Sequence, residues 1–142
     1  MPGILVGIDG SDHSRKALEW AVHEAGVRGT SLTVLAVHQV AANHWTGDPE
    51  TYASDAPETD TVRQAAEDAV QKAVSQAGGP APTSVTVRAV TGVAAHELVA
   101  ASADADLVVV GSRGGGGFAR MVLGSVSSQV ASHAAAPVVV IR

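Results

Sequence analysis

The chain has 142 residues, enough for one domain with a core of its own. Its 9 Lys and Arg against 14 Asp and Glu give a net charge of −5, and aromatic residues make up 3%; this balance argues against a nucleic-acid or membrane-surface partner. The absence of cysteine rules out a disulfide, a thiol nucleophile and a thiolate-held metal, no apolar run is long enough to cross a bilayer, and Ile4 to Ile8 is too short for a signal peptide and has no basic region before it, so a cytoplasmic setting is expected.

Ile4-Leu5-Val6-Gly7-Ile8 reads as a first strand. It is apolar throughout, the pattern of a central strand in a parallel sheet. It ends at Asp9-Gly10-Ser11-Asp12, where Ser11, Asp12 or Ser14 caps the helix that follows. In that helix Leu18, Ala21, Val22 and Ala25 recur at helical spacing, Trp20 flanks the stripe, and Gly26 and Gly29 bracket its end. Leu32 to Val37 is the second strand. From His38 to about Pro57 no period is visible, and Asn43, Gly47, Asp48, Pro49 and Pro57 are loop formers. Trp45 and Tyr52 within this stretch either shield a ligand or ride on a surface loop. Val62, Ala65, Ala66, Ala69, Val70, Ala73 and Ala77 then trace an amphipathic helix, stopped by Gly78-Gly79-Pro80. Val85, Val87 and Ala89 alternate with Thr86 and Arg88, which means one wet face or an edge position. Thr91-Gly92 turns into a helix with Ala95, Leu98, Val99 and Ser102 on one face.

The segment from Ala105 to Val126 carries the chemistry. Leu107 to Val110 is a second unbroken apolar strand. It ends at Gly111, a loop with four consecutive glycines from Gly114 to Gly117 follows, and Gly124-Ser125 precedes a helix marked by Val126, Val130, Ala131 and Ala134. Pro137 stops that helix, and Val138 to Ile141 form the last strand. Glycines let a backbone approach a ligand closely, and a helix N-terminus offers unpaired N–H groups and the positive end of its dipole. Strand, glycine loop and helix N-terminus together make a site for an anion, best a phosphate. Arg113, between Gly111 and Gly114, suits a phosphate contact, and the Ser125 hydroxyl suits both a cap and a phosphate. Asp9 has two readings: an Asx-turn within its own loop, or a ligand for ribose hydroxyls or a phosphate-bound Mg²⁺.

Other nucleotide and metal motifs are absent. A P-loop needs Lys before the Ser or Thr, but Leu123 and Gly124 precede Ser125. The dinucleotide fingerprint should follow the first strand, where Asp9-Gly10-Ser11-Asp12 stands. His23-Glu24 and His96-Glu97 begin like a zincin motif and lack the second His.

Strands alternating with helices predict an α/β fold: a doubly wound parallel sheet with helices on both faces. The spacing Gly111-x2-Gly114-x9-Gly124-Ser125 resembles the ATP-binding signature of the universal stress protein family, and the resemblance runs from Val6-Gly7-Ile8-Asp9-Gly10-Ser11 to Pro137-Val138-Val139-Val140. It implies a single Rossmann-like domain over residues 1–142, with strand order 3-2-1-4-5, which sets Asp9 beside Gly111. It further implies ATP as the ligand, with Asp9 as its acid contact and the Val37 backbone at the adenine edge. Gly7 and Val110, with Ile8 alongside, flank the base and ribose; Gly111, Gly114, Gly124, Ser125 and Val126 hold the phosphates. Gly115 to Gly117 are more glycine than the pattern requires.

Two function classes follow: an ATP-binding stress or signalling module, and a slow ATP hydrolase. No dedicated base or water-positioning group is visible, which favours the module. A nucleotide-independent dimerisation module is a third reading, and retention of the glycines counts against it. Val138 to Ile141 lies at the sheet edge in the implied order and is apolar at every position, with only Pro137 and Arg142 guarding its ends. Such an edge invites pairing, so an antiparallel homodimer through this strand is expected, as the resemblance also implies.

Overall fold

The computed structural model describes residues 3–39, 55–112 and 125–142, and the backbone alone for 39 and 55–59. Strands Gly3–Ile8 (β1), Leu32–Gln39 (β2), Val85–Gly92 (β3), Ala105–Gly111 (β4) and Val138–Ile141 (β5) alternate with helices Asp12–Arg28 (α1), Asp55–Gln76 (α2), Ala94–Ser102 (α3) and Ser125–His133 (α4). The strands form one sheet in the order β3-β2-β1-β4-β5, and every neighbouring pair is parallel. This is the architecture expected from the alternation of elements and from the family resemblance. β1 is central: Ile4 stands opposite Leu32 of β2 on one side and Leu107 of β4 on the other.

Side-chain alternation divides the core into two layers. Ile4 and Val6 of β1, Leu32 and Val34 of β2, and Leu107 and Val109 of β4 pack with α1 and the second half of α2. Leu5, Leu35, Val37, Val108 and Val110 point the other way and pack with Leu98 of α3 and Val130 of α4. Helices therefore cover both faces, which is why β1 and β4 read as continuous apolar runs. The α1 stripe behaves as its spacing predicts, with Leu18, Ala21, Val22 and Ala25 buried and Trp20 half-buried at the edge of the same layer. Of the three candidate caps, Ser11 fills the position: its Oγ accepts the Ser14 N–H at 3.2 Å.

Three boundaries differ from the sequence expectation. β2 runs to Gln39 and α2 is described from Asp55, so His38 lies in a strand and Pro57 in a helix where a loop was expected from His38 to about Pro57. Trp45 and Tyr52 lie outside the described residues. β3 continues to Gly92 because β2 pairs with it throughout, up to Gln39 opposite Gly92. In α4, Ala131 is exposed, and the buried positions are Ser127 and Val130.

Candidate functional site

The carboxyl ends of β1, β2 and β4 meet at the first turn of α1. After Ile8 the chain leaves the sheet through Asp9 and Gly10, and Gly10 has φ 86°, a conformation that favours glycine. Asp9 Oδ1 accepts the Ser11 N–H at 2.9 Å, which is the Asx-turn considered for it. The Asp9 N–H donates to Ser14 Oγ at 3.2 Å, and Ser14 Oγ donates to the Ser11 carbonyl at 3.0 Å. These bonds fix the acid at the mouth of the sheet. Its side chain is exposed, and among the described residues its second carboxylate oxygen has no hydrogen-bond partner. The turn and a ligand contact are thus compatible, because the turn uses one oxygen.

β4 reaches the same place from the other side of β1. A Cβ at Gly111 would lie 2.8 Å from the His13 carbonyl carbon and oxygen in the first turn of α1. Gly111 is therefore needed for helix–strand contact as well as for any approach of phosphate. The next residue, Ser112, is buried and acts as a junction. Its N–H donates to the Ile141 carbonyl at 2.7 Å, its Oγ lies 3.4 Å from His13 Nδ1, and its carbonyl accepts from Ser127 Oγ at 3.0 Å. That last bond ties the end of β4 to the first turns of α4 and brings together the two ends of the glycine segment. Arg113, Gly114 and Gly124 lie outside the described residues, as do Gly115 to Gly117. Ser125 is exposed at the start of the described part of α4, and Val126 packs on the core.

Beside Asp9 a cleft of about 380 Å³ opens between the ends of β1 and β2 and the first half of α2. Ile8, Asp9 and Gly10 form one side, Ala36, Val37 and His38 the floor, and Val62, Ala65, Ala66 and Ala69 the opposite wall. Its volume falls within the usual range for small-ligand sites. Along this helix Ala66, Val70 and Ala73 are buried, Val62 and Ala69 are half-buried, and Ala65 is exposed.

The structure brings Ile8, Asp9 and Val37 together at this cleft. It places Gly7 and Val110 in the layer below. A Cβ at Gly7 would meet Leu98 Cδ1 and Cδ2 at 2.8 Å, and Val110 packs with Leu98 and Val130. His38 and the α2 alanines line the cleft, although nothing in their spacing marks them as site residues. The signal available in the sequence was the alanine-rich start of the α2 stripe, since small side chains there leave room that leucine would fill. Ser112 was equally unmarked, being one polar residue between glycines. Among the described residues no group of three or more His, Cys, Asp and Glu gathers as a metal site, and no helix is long and apolar enough to cross a membrane.

Comparison with known proteins agrees with the fold. The profile described as Universal stress protein family matches residues 2–142. Universal stress protein Rv2005c of Mycobacterium tuberculosis is 39% identical over 146 residues, covering 99% of this chain and 48% of the relative. The chain thus spans about half the length of that relative. Universal stress protein YxiE of Bacillus subtilis is 35% identical, with 98% of this chain and 97% of the relative covered. Among solved structures, universal stress protein UspA from Lactobacillus plantarum superposes with TM-score 0.82 at 27% identity, over 99% of this chain and 97% of that one. A universal stress protein in complex with cAMP has TM-score 0.65 at 27% identity, over 99% and 96% of the two chains. The universal stress protein from Archaeoglobus fulgidus in complex with dAMP has TM-score 0.59 at 25% identity, over 100% and 98%.

Proposed function

The chain belongs to the universal stress protein family, and from that premise we propose that it is an ATP-binding module whose nucleotide state governs a stress or signalling response. One observation carries the reading: a ligand-sized cleft opens at the carboxyl edge of the sheet, with Asp9 at its lip. Ligands of open parallel sheets bind at this edge, where the strand order reverses, here between β1 and β4. The complexes of two structural neighbours with cAMP and dAMP support an adenine nucleotide. In this reading the base enters the cleft against the Val37 backbone, the ribose meets Asp9, and the phosphates lie over Gly111, Gly114, Gly124, Ser125 and Val126 with Arg113 beside them.

A magnesium ion would enter on the phosphate oxygens with Asp9 as its carboxylate ligand, and it would neutralise phosphate charge there. Asp9 is held by its own turn and serves as a contact, not as a general base, so hydrolysis is absent or slow. The setting in which such a module meets ATP is the cytoplasm. We also propose the homodimer through β5, whose residues are half-buried at the open edge. Sedimentation of Val139→Lys checks it: a dimer that this variant splits without unfolding supports the interface, and a wild-type monomer at micromolar concentration removes it.

Calorimetry with ATP tests the nucleotide reading. Wild type binds, and Gly114→Val and Gly124→Val each lose most of the affinity, because a branched side chain blocks the approach of phosphate to backbone N–H groups. Unchanged affinity in both variants would take the phosphates away from this segment.

A further inference from the structure

The His13 imidazole and the Ser112 hydroxyl meet at the end of β4, on elements distant in sequence. His13 stands in the first turn of α1, and a Cβ placed on Gly111 would lie 3.0 Å from the His13 Cβ. The side chain therefore starts against Gly111 and extends along the strand end, where Nδ1 lies 3.4 Å from Ser112 Oγ. Ser112 is 2% exposed, and among the described residues its hydroxyl has no other hydrogen-bond partner. A buried hydroxyl has to place its proton on an acceptor, and Nδ1 is the acceptor within reach. A neutral imidazole that accepts at Nδ1 carries its own proton at Nε2, and an imidazolium carries one there as well. Both forms thus present a donor at Nε2, which has no partner among the described residues. His13 is half-buried while Ser112 is sealed, so the exposed part of the ring lies away from Nδ1. The neighbouring Asp12 is exposed and lies 3.7 Å from Arg15, so its charge is opposed on α1 itself.

Resting on the nucleotide reading above, we propose that His13 binds the phosphate chain: Ser112 orients the imidazole through Nδ1, and Nε2–H donates to a phosphate oxygen lying over Gly111. A hydrogen bond to a charged oxygen is among the stronger kinds, and the positive end of the α1 dipole acts in the same direction. α1 then supplies a side chain to a phosphate site that the glycine spacing assigns to β4 and α4 alone. The contribution depends on strand order, because β4 ends beside α1 only when it is the neighbour of β1. Through His13 the site prefers phosphorylated nucleosides to unphosphorylated ones.

Calorimetric titration of wild type, His13→Ala and His13→Phe with ATP and with adenosine tests this. His13→Phe keeps a ring and lacks the donor. Each variant binds ATP about tenfold more weakly, the order expected for one hydrogen bond to a charged group, and binds adenosine as wild type does. The preference for ATP over adenosine therefore falls about tenfold. Should His13→Ala fail to fold, His13→Phe is read the same way. If His13 only pins α1 to β4, its loss weakens both ligands alike. An ATP-to-adenosine ratio in the folded variants equal to that of wild type overturns the role of His13 and leaves the nucleotide site standing. Wild type that binds no ATP overturns the nucleotide reading, and the role of His13 with it.

Discussion

In its second half α2 buries Val70 and Ala73 against the sheet, with 8% and 6% of their surfaces exposed, whereas in its first half Val62 is half-buried and Ala65 exposed. All four belong to one amphipathic stripe, and an ideal helix lying flat on the sheet would treat them alike. The difference teaches what the stripe is for. Where it touches the layer of Ile4, Val6 and Val34, it contributes to stability through burial. At the carboxyl ends of β1 and β2, Val62, Ala65, Ala66 and Ala69 of the same helix wall a cleft. On the proposed function, stability and binding belong to successive turns of one helix, and substitutions along it should separate them.

The largest stability effect belongs to the second half. Ala73→Leu forces extra carbons into a filled layer and should cost about 1–3 kcal/mol, read as a lower midpoint in urea, with nucleotide affinity of the folded protein unchanged. Val70→Ala removes two methyl groups from the same layer and should cost about 2 kcal/mol from lost burial and the cavity left behind; an unchanged midpoint would mean that this half of α2 is not packed as described. At the other end of the helix the expected pattern inverts. Ala65→Leu meets no packed core, so its stability should stay within about 0.5 kcal/mol of wild type, while its side chain fills the cleft and ATP affinity falls more than tenfold.

Much of this fold was legible because the signals are local and redundant. The unbroken apolar runs of β1 and β4 correspond to strands covered on both faces, and the alternation in β3 corresponds to an edge strand with Thr86 and Arg88 exposed. The strand order itself came from the resemblance, since periodicity does not specify which strands are neighbours. The failures are equally physical. Pro57 looked like a loop former and stands within α2. His38 looked like the start of a loop and is still in β2, because pairing with β3 sustains a strand that polar composition argues against. Ala131 carried the helical spacing and is exposed, while Ser127 is buried with its hydroxyl satisfied by the Ser112 carbonyl. For the candidate site, Asp9 was proposed from its place at the end of the first strand, and Val37 came from the resemblance. The cleft was not legible, because it depends on how α2 sits against the ends of β1 and β2, a tertiary arrangement that no spacing records.

The central claim, that the first half of α2 faces a nucleotide instead of the core, is tested most directly by titrating ATP into Ala65→Leu and wild type side by side, with the unfolding midpoint of each measured in the same buffer. The account predicts that wild type binds, that Ala65→Leu binds ATP more than about tenfold more weakly, and that the two midpoints coincide. Equal ATP affinity in the two proteins, at equal stability, would contradict it.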